Sequence, residues 1–222
     1  MPRDRKPITI SRLRVAYAAR RKDIRARLKE FHQIWRSGSD ERLWEEMVYC
    51  IFTAGASARM GLRSVEAVRP LLKTGRPQTM TRALIAAGAH RFPNARPEYV
   101  VSTRSYLQKS FSMRLRERLQ SFSDPFERRD WLAQEPKIKG LGYKESSHFL
   151  RNVGFKGYGI LDKHILRSLA ELGVIDSAKP PAVRSRYLEI EARMREFAAE
   201  AGIDFDELDL VLWSMKTGEI LK

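Results

Sequence analysis

One cysteine, Cys50, stands alone in the 222 residues. The chain therefore has no internal disulfide, four-thiolate iron–sulfur cluster or cysteine-rich zinc site. Glycine (13) and proline (10) are too scarce for a collagen-like or low-complexity chain. No apolar run approaches the roughly 18 residues that a membrane span requires. The sequence also lacks an apolar signal core at its start, so a cytoplasmic protein with no membrane partner is expected. Missing too are any useful alternating strand pattern and any repeat with a period of roughly 20–50 residues.

What is abundant is positive charge: 42 Lys+Arg face 27 Asp+Glu, for a net of +15. A polyanion is the partner such a balance favours. Residues 1–30 carry a net of +8, residues 31–100 of +4 and residues 101–167 of +7, whereas residues 168–222 carry −4. This suggests a surface that meets a polyanion and a different rear face. Well-solvated arginine-rich helices would give similar totals.

Nearly every segment has helical periodicity. Leu43, Met47, Val48, Ile51 and Phe52 share one face over about 40–55, with Gly55 as a stop. Further helices are predicted over about 60–73, 80–88, 95–120, 125–135, 143–153, 163–172, 182–201 and 205–216, separated by Gly/Pro clusters. Asp204 followed by Glu207 predicts a capping box at the last of them. The fold class is all-α.

The chemistry concentrates in 136–167. There a helix runs into Gly140-Leu141-Gly142 and directly into a second helix. Glycines around one apolar residue let the backbone turn tightly and bring its N–H groups close to an anion. Leu141 would plug the gap between the helices, and the second helix start favours a phosphate. This is helix-hairpin-helix logic, which holds DNA backbone without reading sequence; an ordinary helix connection would look similar. Lys144 follows in the first helical turn, where the helix field disfavours a cation and the neutral amine is the nucleophilic form. Eighteen residues on, Asp162 opens another helix. By themselves, Lys144 reads more readily as a phosphate contact or a solvated surface lysine, and Asp162 as a plain N-cap. His148 and His164 lie 16 residues apart without ligand partners at zinc spacing, so no metal is expected. His164 is expected to make a backbone or supporting contact, and His148 to face solvent or DNA.

Taken together, Gly-Leu-Gly-Tyr-Lys-Glu-Ser-Ser-His-Phe-Leu-Arg-Asn-Val-Gly and Ile-Leu-Asp-Lys-His-Ile resemble the helix-hairpin-helix DNA glycosylases with a Gly/Pro-rich loop and an aspartate. Three further stretches narrow the resemblance to the second class of 8-oxoguanine DNA glycosylase/lyases, found mainly in archaea and some bacteria. They are Ile51-Phe52-Thr53-Ala54, Arg91-Phe92-Pro93-Asn94-Ala95-Arg96 and Leu212-Trp213-Ser214-Met215-Lys216-Thr217-Gly218. The resemblance covers roughly residues 30–222. It implies a single glycosylase unit over 1–222, of two helical subdomains with the active site and lesion pocket between them. Its parts are the basic segment 1–30, the helix-hairpin-helix at about 125–153, the Gly-rich loop and aspartate at about 154–164, and the C-terminal helix and tail 204–222.

The resemblance also implies roles. Lys144 falls on the lysine that attacks C1′ and forms a Schiff base, and Asp162 on the aspartate that stabilises oxocarbenium-like charge. Lys139, Gly140, Leu141 and Gly142 fall on the hairpin that holds a phosphate. Trp213 and Lys222 fall on positions used around the extruded purine, although Trp213 also suits core packing beside Leu210 and Leu212. The expected partner is double-stranded DNA containing oxidised guanine, bound by a monomer without cofactor. The function implied is excision of 8-oxoguanine followed by β-elimination at the abasic site. The alternatives are a different base specificity on this scaffold (oxidised pyrimidine or alkylated purine) and a non-catalytic DNA-binding module. Departures from relatives are Lys137-Ile138-Lys139, where many carry Leu-Pro, and Gly55-Ala56-Ser57, where a larger polar side chain is expected.

Overall fold

The computed structural model describes residues 7–221, and all regular structure among them is helical. Contacts divide the chain into two units: Ile34–Val153, and the N-terminal stretch through Gln33 together with everything from Gly154. The division falls inside the first helix, α1 (Ile10–Ser37). No helix among the described residues is long and apolar enough to cross a membrane.

In the unit Ile34–Val153 the axis is α2 (Asp40–Thr53), buried from Leu43 to Thr53 apart from Glu45. Ser39 starts it by accepting the Arg42 N–H, a cap its hydroxyl is suited to make. Against α2 pack α3 (Ala58–Val68), α5 (Ala95–Phe111), α6 (Leu115–Gln120) and α8 (Tyr143–Asn152). Around them lie α4 (Pro77–Ala86), against α3 and α5, and α7 (Pro125–Gln134), against α8. The single helix predicted over 95–120 is two. Ser112 and Met113 take φ of 49° and 60°, closing α5 with N–H bonds to the carbonyls of Gln108 and Leu107. Left-handed backbone in non-glycine residues costs about 1–2 kcal/mol each, and it accompanies burial of Leu115 and Leu119 on α6. Neither Gly nor Pro marks that break.

A polar contact crosses the α2–α8 packing. Glu46 is fully buried; Arg42 Nη2 donates to its Oε1 at 2.6 Å and Asn152 Nδ2 to its Oε2 at 3.2 Å. A buried carboxylate is tolerable only when so satisfied.

The other unit holds α9 (Lys163–Glu171), α10 (Arg184–Ala201), α11 (Phe205–Thr217) and α1 as far as Gln33. α11 packs on both α9 and α10. Along α1, Leu13, Ile24 and Phe31 are buried, while Arg14, Arg21, Lys22 and Lys29 are exposed. Tyr17 Oη donates to Glu207 Oε2 at 2.7 Å, Arg25 Nε to Glu207 Oε1 at 2.8 Å and Arg20 Nη1 to Ser214 Oγ at 2.8 Å. These contacts change the expected capping box. Asp204 does cap α11 through the Asp206 N–H at 2.9 Å, but the Glu207 carboxylate turns to α1 instead of back to the helix start. A charged guanidinium is a stronger donor than the cap amide.

Removing the α2–α8 link should be measurable. Glu46→Ala leaves the Asn152 amide without its acceptor, and we expect about 2 kcal/mol of lost stability. A denaturant titration that returns the native midpoint would refute that link.

Candidate active site

The hairpin is built from α7, the connection 135–142 and α8. Glu135 starts the connection, accepting the Lys137 N–H at 3.0 Å and the Tyr106 hydroxyl at 3.1 Å. The Lys139 N–H then donates to Thr103 Oγ1 at 2.8 Å, which fastens the turn to α5 while the Lys139 side chain stays exposed. Ile138 and Leu141 are buried at 5% exposure each. α8 is fixed to α7 by the Tyr143 hydroxyl donating to Asp130 Oδ1 at 3.0 Å, and by Arg129 Nη1 donating to Ser147 Oγ at 3.2 Å.

The two glycines are not equivalent. Gly140 has φ +81°, and a Cβ there would stand 2.9 Å from Tyr99 Cδ2 and 3.3 Å from Ile51 Cγ2. Both the backbone and the space require glycine. Gly142 has φ −94° and ψ −170°, the extended backbone of an N-cap, which any residue adopts. Only the first glycine therefore makes the tight turn expected of both.

Lys144 lies in the first turn of α8 with about a quarter of its side chain exposed, its Nζ 2.9 Å from Glu145 Oε1. His148, expected toward solvent or DNA, is instead 7% exposed and meets the Tyr49 ring edge-on at 5.6 Å. One helical turn past Lys144 already points into the packing against α2.

In the other unit Asp162 is the N-cap of α9. Its Oδ1 accepts the N–H groups of His164 at 2.7 Å and Ile165 at 2.8 Å, so His164 touches it through backbone as expected. The Gly-rich loop before it is braced at successive peptides. Asp206 Oδ1 accepts the Gly157 N–H at 2.7 Å, and Arg195 Nη2 donates to the Gly157 carbonyl at 2.8 Å. Glu191 Oε1 accepts the Gly159 N–H at 2.7 Å, and the Tyr187 hydroxyl donates to the Gly159 carbonyl at 2.7 Å. Sequence reasoning missed these supports, although Tyr187, Glu191 and Arg195 recur every four residues along α10, a polar stripe visible in the sequence. Burial pushes the Asp206 carboxyl above the ordinary aspartate range, and the Gly157 N–H opposes that shift.

Another feature, to which the sequence reading gave no role, lies beside the hairpin in its own unit. Phe92 (39% exposed) carries the Arg91 guanidinium over its ring at 4.6 Å, and Arg96 lies over Tyr99 at 5.3 Å. The loop is set by His90, whose Nδ1 accepts the Phe92 N–H at 2.9 Å while Nε2 lies 2.8 Å from the Phe52 carbonyl. Burial, with Arg96 and Arg91 nearby, holds the imidazole below its ordinary pKa and so neutral. The signal in the sequence was Arg91-Phe92-Pro93, basic and aromatic residues at a helix-breaking proline. Trp213, on α11, is partly exposed while Leu210 and Leu212 are buried, so its ring is not sealed in the core. Lys222 lies outside the described residues. Among those described, no three His, Cys, Asp or Glu side chains gather as metal ligands.

Residues 24–203 match the sequence profile of the 8-oxoguanine DNA glycosylase family, Ogg-HhH. The chain is 40% identical over 202 residues to a Korarchaeum cryptofilum protein named 8-oxoguanine DNA glycosylase/AP lyase, covering 91% of each. It is similar in structure to the 8-oxoguanine DNA glycosylase of Thermotoga maritima, with a TM-score of 0.85 at 30% identity over 96% of this chain and 98% of that one. The Methanocaldococcus jannaschii 8-oxoguanine glycosylase/lyase, solved in complex with 15mer DNA containing 8-oxoguanine, gives a TM-score of 0.86 at 34% identity. That match covers 96% of this chain and 99% of that one.

Two outcomes test the geometry. Gly140→Ala should cost about 1–2 kcal/mol of stability from its backbone alone, and Gly142→Ala within about 0.5 kcal/mol; equal losses by thermal melting would contradict the asymmetry. For Asp206 the raised folded-state pKa adds stability below the unfolded value, and this is lost as pH rises through the folded value. Asp206→Asn should therefore flatten the stability profile just above the ordinary carboxylate range and be at least as stable as the native chain at neutral pH. A parallel profile would refute the burial cost.

Proposed function

The chain belongs to the 8-oxoguanine DNA glycosylase family, and on that premise we propose that it excises 8-oxoguanine from DNA and cleaves the abasic strand through Lys144. The observation that carries this reading is the placement of Lys144 itself: a partly exposed amine in the first turn of the helix that follows the Gly140 turn. A plain DNA-binding hairpin does not require an amine there that is paired with a carboxylate. The Korarchaeum relative is named glycosylase/AP lyase, and the Methanocaldococcus neighbour holds DNA containing 8-oxoguanine.

On this reading the hairpin amides take a backbone phosphate, helped by the N-terminal field of α8 and the exposed Lys139 side chain. Phosphate contacts position the duplex without reading it. The modified nucleotide must leave the stack, at a cost of about a few kcal/mol. The exposed Phe92 ring, with its stacked guanidinium, provides an aromatic face to which bases can stack. Trp213 is assigned to the extruded purine, and so is Lys222.

The neutral Lys144 amine attacks C1′, the C1′–N9 bond breaks and the base leaves with a proton. The remaining amine proton passes to O4′ as the C1′–O4′ bond of the sugar ring breaks, leaving a C1′ Schiff base. Removal of a C2′ proton then breaks the C3′–O bond and expels the 3′ phosphate. Asp162 supplies negative charge to the oxocarbenium-like centre. Its Oδ1 already accepts two helix amides, which hold the group in place. Glu191, Tyr187 and Asp206 set that helix start by fixing the loop before it.

The test is borohydride trapping on duplex DNA with one 8-oxoguanine. The wild type should give a covalent adduct. Lys144→Gln should give none while still binding DNA, and Asp162→Asn should slow excision by about 10²-fold or more with little change in affinity. An adduct from Lys144→Gln would reassign the nucleophile.

A further inference from the structure

Glu145 stands between the two groups assigned to DNA at the hairpin. Neighbouring side chains on a helix point about 100° apart and do not normally meet. Here they do: Glu145 Oε1 is 2.9 Å from Lys144 Nζ, while its Oε2 accepts the Gly142 N–H at 3.4 Å. The carboxylate folds back over the start of α8, so that it satisfies an orphan amide and neutralises the cation that the helix field disfavours. The other carboxylates that reach α8 from its packed neighbours are engaged elsewhere. Asp130 of α7 accepts the Tyr143 hydroxyl, and Glu46 of α2 holds Arg42 and Asn152.

Resting on the reading of Lys144 as nucleophile and the hairpin as phosphate seat, we propose that Glu145 is a positioning residue that exchanges with DNA. In the DNA-free protein its carboxylate occupies the phosphate seat on the Gly142 amide and holds Lys144 down beside it. A backbone phosphate arriving at that amide displaces the carboxylate, because two anions cannot share one donor, and the displacement releases the lysine. Two features suit Glu145 to leave. Its bond to the amide is long, at the outer limit of hydrogen bonding, and its ion pair is partly exposed. A phosphate brings further contacts to the exposed lysines 137 and 139 that the carboxylate cannot make. Backbone docking and exposure of the nucleophile thereby become one event.

The experiment compares wild type, Glu145→Gln, Glu145→Ala and Lys144→Gln. The DNA-free proteins are treated with formaldehyde and cyanoborohydride. Each amine condenses with the aldehyde, loses water and is fixed by hydride as an alkylated lysine, read by peptide mass at Lys144 with Lys139 as internal reference. Glu145→Gln should label Lys144 about threefold to fivefold faster than wild type, the scale of a partly exposed ion pair. The glutamine can still accept the Gly142 N–H, so a role confined to capping the helix predicts no change. On duplex carrying a preformed abasic site, removal of the competing anion should appear as a lower half-saturating DNA concentration and not as a faster saturated trapping rate. Glu145→Ala should follow Glu145→Gln in both readouts if it folds, and Glu145→Gln decides the matter if it does not. Unchanged labelling in Glu145→Gln while the wild type traps normally would overturn the exchange. A wild type that labels at Lys144 but never traps would overturn the nucleophile reading beneath it. The two failures are therefore distinct.

Discussion

The field at the start of α8 attracts anions and repels cations, yet the chain places a lysine there. The hairpin of the unit Ile34–Val153 carries that conflict. For the proposed role the amine must be at the helix start, near a phosphate on its amides, and it must not be neutralised permanently. A covalent ligand or a deep burial would remove it from use. A neighbouring carboxylate at 2.9 Å, partly exposed, compensates the field while remaining displaceable. The turn that aims this helix start depends on one left-handed glycine, Gly140, pressed against Tyr99 and Ile51, and on Thr103 gripping the next peptide back. Behind it α8 is held by Glu46 and Arg129, both buried and both hydrogen-bonded. On the proposed reading the exchange is confined to two side chains, Lys144 and Glu145, on a braced support, as a positioned catalytic group requires.

In the other unit the same helix-start physics is used in the opposite sense. At α9 the anion is part of the chain: Asp162 sits where a helix favours negative charge and gives one oxygen to two amides. Its precision comes from the preceding loop, where glycines at 157 and 159 let polar side chains of α10 and α11 reach the backbone itself. At Gly159 a side chain would meet Glu191 and Phe205 at 3.3 Å, so the close approach and the brace are one feature.

The sequence made these local features legible where residue type dictates geometry. The all-helical class, the hairpin at 140–142, the N-cap at Asp162 and the buried face of α2 all follow from period and punctuation. What was not legible depends on contacts distant in sequence. α1 carries three buried residues spaced eleven and seven apart, too sparse for a periodic signal in so polar a stretch. The break at Ser112-Met113 has no breaker residue; burial of Leu115 and Leu119 accompanies it. His148 looked like a surface residue because it lies one turn after Lys144, but Ser146 and Ser147 are buried with it. Glu207 looked like a cap because Asp204 precedes it, and α1, nearly two hundred residues earlier, offers it better donors.

The acidic end of the chain shows the same limit at the level of charge. A net of −4 over residues 168–222 read as a rear face turned from the polyanion. In the structure many of those carboxylates are internal acceptors. Glu171 takes the Ile8 N–H and the Lys216 ammonium, Glu191 and Asp206 take loop amides, and Glu207 takes Tyr17 and Arg25 of α1. An acid paired with an arginine or a lysine projects little field into solvent, because its charge is matched within a few ångströms and the rest is screened. The basic side chains of Arg14, Arg21, Lys22 and Lys29 along α1 are, by contrast, exposed. The asymmetry that draws a polyanion therefore comes less from where acids lie in the sequence than from how many of them the fold consumes.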